Sequence, residues 1–208
     1  MLVYKLTDSN GQTYNHTQWG PGVTHTTDGK GQLCGPGWLH FYSHPLLAVL
    51  LNPIHAKFTT CRLWEAEADG IFKDDCGLKG GCTRLTTLRE IPLPRITTNA
   101  RIRFGIYCVQ AVTTNVAWNA WAIGWLKNKD RSTEAAASAA SWAAEAAEAA
   151  EAASGAASGA AAAAEAAEAA SGAASWAAEA AASCDTVLSL SALAEQAVRK
   201  DKEEFLCV

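Results

Sequence analysis

Residues 134–183 hold 31 alanines in 50 positions, together with seven glutamates and no proline, and no other feature restricts the fold of this chain so strongly. Alanine has the highest helix propensity of any residue but removes little apolar area from water. The tract therefore predicts helix wherever glycine permits, and it cannot build an ordinary core from its own side chains. As one rod it would extend roughly 75 Å at 1.5 Å per residue. The Ser-Gly pairs at 154–155, 158–159 and 171–172 offer places to fold back, and the run EAAEAASGAAS occurs twice, at 148–158 and 165–175. Faces of small residues let helices approach closely. Trp142 and Trp176 are the expected anchors of such packing.

All six prolines precede residue 113, in a stretch of mixed composition. The contrast predicts an α+β chain: a small mixed or antiparallel sheet module with one short helix, followed by an alanine-rich helical segment. The expected divisions are a strand-rich ligand-binding module over 1–112, a Trp-rich helix and joint over 113–131, alanine-rich helices over 132–183, and a C-terminal amphipathic helix over 184–208. Within the module, residues 2–6 predict an opening strand, followed by about thirty loop-like residues punctuated by glycine and proline. Residues 38–42 alternate as a strand should, placing Trp38, His40 and Tyr42 on one face. A polar turn at Ser43-His44-Pro45 leads into a short helix over 46–51, closed by Asn52-Pro53. Further strands are expected over 62–68, ended by Asp69-Gly70, within 78–88, and over 101–108, where Ile102, Phe104, Ile106 and Cys108 alternate. From Val116 the period becomes helical, with Trp118, Trp121, Ala122 and Trp125 on one face. The tail places Val187, Leu190, Leu193, Ala194 and Ala197 on another.

Charge follows the same division. Residues 1–133 carry 14 Lys/Arg against 9 Asp/Glu, net +5, whereas residues 134–183 carry −7 and residues 184–208 carry −2. The front module is the part suited to an anion, and its balance fits a phosphate-bearing small molecule better than duplex nucleic acid, which recruits a denser basic stripe. Seven cysteines form an odd set without a CxxC, and the N-terminus lacks a signal-peptide core. These features point to a reduced, cytoplasmic protein, in the host cytosol if phage-encoded. Glutamate recurs too often in the long low-polarity tract for a membrane span.

Chemistry is sparse. Cys34, His40 and His44 are ligand types that zinc accepts, but their spacing is not that of a recurring zinc site, so no metal and no cofactor are expected. Cys34 beside Gly35 is conceivable as a nucleophile, yet no signature supplies its base, and no phosphate-binding glycine loop follows a strand. No catalytic residue is assigned, and the chain is read as a binding protein rather than an enzyme. The better candidate is a pocket of aromatic and cationic side chains: His16, Trp19, His25, Trp38, His40, Tyr42, Arg62, Trp64, Arg101 and Arg103, with Tyr14 beside them. Aromatic faces stack on nucleobases, and arginine grips phosphate through paired donors, so this inventory suits a nucleotide-like ligand.

The order G-x-L-C-x-x-G-W-L-H-x-Y-x-x-P-L-x-A over 31–48, followed by LWEAEADG over 63–70 and LKGGCTRLTTLREI over 78–91, resembles a family of uncharacterised phage and prophage proteins. In that family a similar front module precedes alanine-rich tails of variable length. The resemblance covers about residues 1–131 and implies a phage setting. Residues 37–48 also resemble the central segment of small ADP-ribosyltransferase-type folds. That resemblance would cast His16 and Tyr42 as NAD-gripping residues, although no late glutamate is placed to complete the pattern. The expectation is a small-molecule-binding protein that sequesters a nucleotide-derived host defence signal and self-associates through its helices. The alternatives are an NAD-processing or ADP-ribosyl-transferring enzyme and a phage structural or assembly protein.

Overall fold

The computed structural model describes residues 1–75, 77–111, 116–129, 131–132 and 189–206. The alanine tract, Trp142, Trp176 and Val187 lie outside the described residues. The fold is α+β, and the chain divides into two compact units, Met1–Arg95 and Ile96–Val208.

The first unit is built on an antiparallel sheet. Strand β1 (Leu2–Asp8) pairs along its length with β6 (Cys61–Asp74), from Leu2 opposite Glu67 to Asp8 opposite Cys61. On its other side β6 pairs with β7 (Gly80–Ile91). The far edge of β7 holds two short strands, β4 (Thr24–Thr26) opposite residues 84–86 and β5 (Leu39–Phe41) opposite residues 80–82. Cross-strand pairs of opposite charge line the exposed side: Arg89 forks onto Glu65 at 2.7 Å, and Arg62 reaches Glu90 at 2.5 Å. The core comprises Val3, Trp19, Phe41, Ala66, Ala68, Cys82 and Leu85.

Two features exceed the sequence reading. The opening loop contains a hairpin, β2 (Gln12–Thr13) with β3 (Thr17–Gln18), turned by residues 14–16. Strand β6 does not end at Asp69-Gly70. Gly70 takes φ +86, the register slips between Asp69 and Phe72, and pairing resumes to Asp74. The Asp-Gly pair is thus a bulge rather than a terminus, because glycine admits the left-handed conformation that absorbs the extra residues.

Pro45–Leu50 form helix α1, and Asn52–His55 form α2. Proline sits in the first turn of α1, and the capping side chain is that of His44, which accepts from the Leu46 amide at 3.3 Å. Leu47, Ala48, Leu50 and Leu51 are buried, and α1 packs against β1.

The second unit is helical where described: α3 (Thr98–Gln110), α4 (Val116–Leu126) and α5 (Leu190–Leu206). The first of these corrects the strand expected over 101–108. Ile102, Phe104, Ile106 and Cys108 alternate, but Ala100, Phe104 and Cys108 also recur every four residues, and all three are buried. The Thr97 hydroxyl accepts from the Ala100 amide at 3.0 Å, a cap that commits the run to helix. Trp118, Ala122 and Trp125 are buried along α4, and Leu190, Ala194 and Ala197 along α5, as their helical spacing predicts. Among the described residues no helix is long and apolar enough to cross a membrane.

Candidate functional site

A cavity of about 630 Å³ opens in the first unit, within the size range of small-molecule sites. Strand β1 contributes Lys5 and Leu6; the β2–β3 hairpin contributes Thr13, Tyr14, Asn15 and Thr17; the following segment adds Trp19, His25, Thr26 and Thr27. Residues 34–36, Trp38, Leu39, His40 and Tyr42 form another wall, and His55, Ala56, Phe58 and Lys79 complete it.

Its side chains are held from the backbone outward. The Trp19 indole N–H donates to Thr13 Oγ1 at 2.9 Å, fastening the hairpin, and His25 meets the Trp19 ring edge-on at 4.6 Å. His25 Nε2–H donates to the Gln18 carbonyl at 2.7 Å. His40 Nε2–H likewise donates to the Leu33 carbonyl. The Tyr42 hydroxyl and His55 Nδ1 share a hydrogen bond at 3.1 Å, and the two rings stack with centroids 5.8 Å apart.

Burial sets the charge states. Desolvation pulls both His40 and His55 below the usual imidazole range, His55 to about 4, and pushes the Tyr42 phenol well up. His40, His55 and Tyr42 are thus neutral at physiological pH, and the lysines are the cationic groups that burial leaves at the wall. Lys5 is buried, donates to the His40 carbonyl at 2.7 Å and lies 4.9 Å from the Trp19 ring centre. Desolvation lowers its ammonium to about 8. Lys79 is half-buried, 3.5 Å from an Asp75 carboxylate oxygen and 3.3 Å from Cys34 Sγ. Among the described residues no aspartate or glutamate lines the cavity.

The structure gathers Trp19, His25, Trp38, His40 and Tyr42 around this cavity, with Tyr14 at its edge. It does not bring in the other five. His16 is exposed on the hairpin turn, its ring near Gln12, and does not line the cavity. Arg62 lies over the Trp64 ring at 4.7 Å and pairs with Glu90, while Trp64 is buried and donates to Thr7 Oγ1 at 3.1 Å. Arg101 and Arg103 belong to α3 in the second unit. There Arg103 is buried in an ion pair with Glu204, which also accepts from Arg131, and both guanidiniums lie over Trp125. Arg103 is thus a structural cation.

Sequence reasoning missed Lys5, Lys79 and His55. Lys5 carried a readable signal, because it interrupts an otherwise apolar strand on the face shared by Val3 and Thr7. An inward-pointing cation in such a strand is a candidate by position alone. His55 and Lys79 had none of comparable strength, since one closes a four-residue helix and the other follows a turn. Cys34, weighed as a nucleophile, is exposed at the cavity wall. Among the described residues no three histidine, cysteine or acidic side chains converge as metal ligands.

Fold and cavity define an α+β protein with an aromatic, lysine-bearing pocket. No protein-family model, curated protein or solved structure matches the chain.

Proposed function

We propose that the first unit binds a nucleotide-like small anion, and that the chain is a phage-type protein which sequesters such a ligand, a nucleotide-derived host defence signal, rather than transforming it. The observation that carries this reading is the lining of the cavity: among the described residues Lys5 and Lys79 stand with Tyr14, Trp19, Trp38 and Tyr42, and although Lys79 pairs with Asp75 outside the lining, Lys5 is buried with no carboxylate partner. A buried ammonium lacking a carboxylate favours an incoming anion, and the rings offer surfaces for a planar base. His40, which burial keeps neutral, supplies a hydrogen bond without adding charge. The phage setting rests on the resemblance over residues 31–48, 63–70 and 78–91. Self-association through the alanine-rich helices belongs to the same proposal.

Isothermal titration of the full chain against cyclic nucleotides, AMP and ADP-ribose tests the reading. Binding of at least one of them tighter than about 1 mM is expected, and weaker binding across the panel overturns it. Incubation with NAD separates sequestration from turnover, because a sequestering protein leaves the NAD intact.

A further inference from the structure

Lys5 has a chemical capacity beyond attracting an anion. It is 7% exposed, yet its side chain lines the cavity. One N–H is fixed on the His40 carbonyl, and the Trp19 ring lies beside the nitrogen. The titratable groups that face it are the Cys82 thiol from β7 and the His40 ring from β5. Burial pushes the thiol up and the imidazole down, so both are neutral at physiological pH. The His40 carbonyl, the Trp19 ring and Cys82 favour the proton on Nζ, but desolvation outweighs them and brings the amine to about 8. A desolvated lysine of this kind, reachable from a cavity, is a nucleophile for carbonyl carbon.

We propose that Lys5 is a carbonyl-capturing amine, which condenses reversibly with the aldehyde or ketone of a small anionic ligand, the open-chain form of a sugar phosphate being the class that fits. The neutral Nζ lone pair attacks the carbonyl carbon, and the C=O π electrons move to oxygen. A proton passes from nitrogen to that oxygen to give a carbinolamine. The hydroxyl then leaves as water with a proton from solvent, the C=N bond forms, and the remaining nitrogen proton returns to solvent. Amine and carbonyl become imine and water, with no oxidant or reductant consumed. The His40 carbonyl orients the nitrogen, and Lys79 supplies positive charge for the phosphate. The inference deepens the anion-binding reading and rests on it for the class of ligand.

The test uses the full chain with ribose 5-phosphate, trapping any imine with sodium cyanoborohydride and locating adducts by peptide mass mapping. At pH 7.5 Lys5 holds on the order of a hundredfold more free amine than a lysine of ordinary pKa. The expected result is a predominant adduct at Lys5, formed in preference to exposed Lys30, with a rate that levels off above about pH 8. Labelling of Lys30 and other exposed lysines with Lys5 unmodified overturns the proposal. Lys5→Arg, checked for folding by its thermal melt, should lose the adduct; an unchanged adduct yield also overturns it. AMP has no carbonyl, so its titration separates the two ideas. AMP binding without an adduct refutes capture alone, whereas an adduct without nucleotide binding refutes the nucleotide reading alone.

Discussion

Lys5 would cost the fold less as methionine. Its ammonium gives up hydration for one carbonyl and one indole face, and buried charges without a counter-ion are replaced by apolar residues at a gain. Lys5→Met is expected to stabilise the ligand-free protein by about 1–3 kcal/mol at pH 7 in urea denaturation, while weakening anion binding roughly tenfold or more in titration. The pH dependence has a defined sign. The folded value of about 8 lies below the ordinary 10.5, so the unfolded chain binds more protons between them. The Lys5 contribution to stability therefore rises with pH across that window, and the methionine variant lacks it. His55 acts in the same sense at lower pH. Its folded value near 4 lies below 6.5, so its contribution falls as pH drops from 6.5 towards 4. His55→Gln should flatten that part of a pH-dependent denaturation series, and an unchanged slope would refute the assignment. The aromatic residues of the cavity were legible in the sequence because Trp38, His40 and Tyr42 alternate on one strand. Lys5 leaves a trace only along its own strand face, as a cation between buried Val3 and Thr7, and Lys79, just after a turn, leaves none.

Strand β5 is three residues long, and the cavity depends on its seat. Its pairing partner within the sheet is β7, where Phe41 lies opposite Gly80. A Cβ at Gly80 would meet the Phe41 ring at 2.3 Å, so the close approach of ring and backbone requires glycine. Gly80→Ala must displace the buried Phe41 ring, which either turns within the core or draws β5 outward with His40 and its hold on Leu33. A loss of about 1–3 kcal/mol, the usual range for overpacking, is expected in chemical denaturation, with weakened ligand binding in titration. A variant as stable and as tight as the natural chain would show that β5 is not held by this contact. Strand β5 and helix α1 were readable because each is short, bounded by glycine or proline, and supported by its own periodicity. The run 101–108 was not, since its residues satisfy both the two-residue and the helical repeat. What decided it was the cap at Thr97, together with a partner about a hundred positions away: the Thr97 hydroxyl also donates to Asp201. Long-range partners of this kind leave no local trace.

Moving residues 96–111 from the sheet to the helices also changes what charge means for the whole molecule. Residues 1–133 carry +5 and the strand-rich module read over 1–112 carries +3, but Met1–Arg95 holds nine Lys/Arg against eight Asp/Glu, net +1. Arg103, one of the cations counted in that excess, is paired with Glu204 within the second unit. Any preference for anions is therefore local. It comes from a cavity wall that, among the described residues, includes Lys5 and Lys79 and omits every carboxylate, not from a basic surface. Two consequences follow for dissection of the chain. First, a fragment of residues 1–95 contains every described residue that lines the cavity, so it should retain the affinity of the full chain within about threefold, roughly 0.7 kcal/mol. Second, ionic strength should weaken binding only modestly, because a buried contact is screened far less than a surface field. Titration of the fragment and the full chain at two salt concentrations checks both expectations, and light scattering of the same samples reports whether residues 96–208 drive self-association. Loss of binding in a folded fragment would mean that the ligand also needs residues beyond 95. A steep salt dependence would return the anion preference to the surface charge from which the sequence reading first drew it.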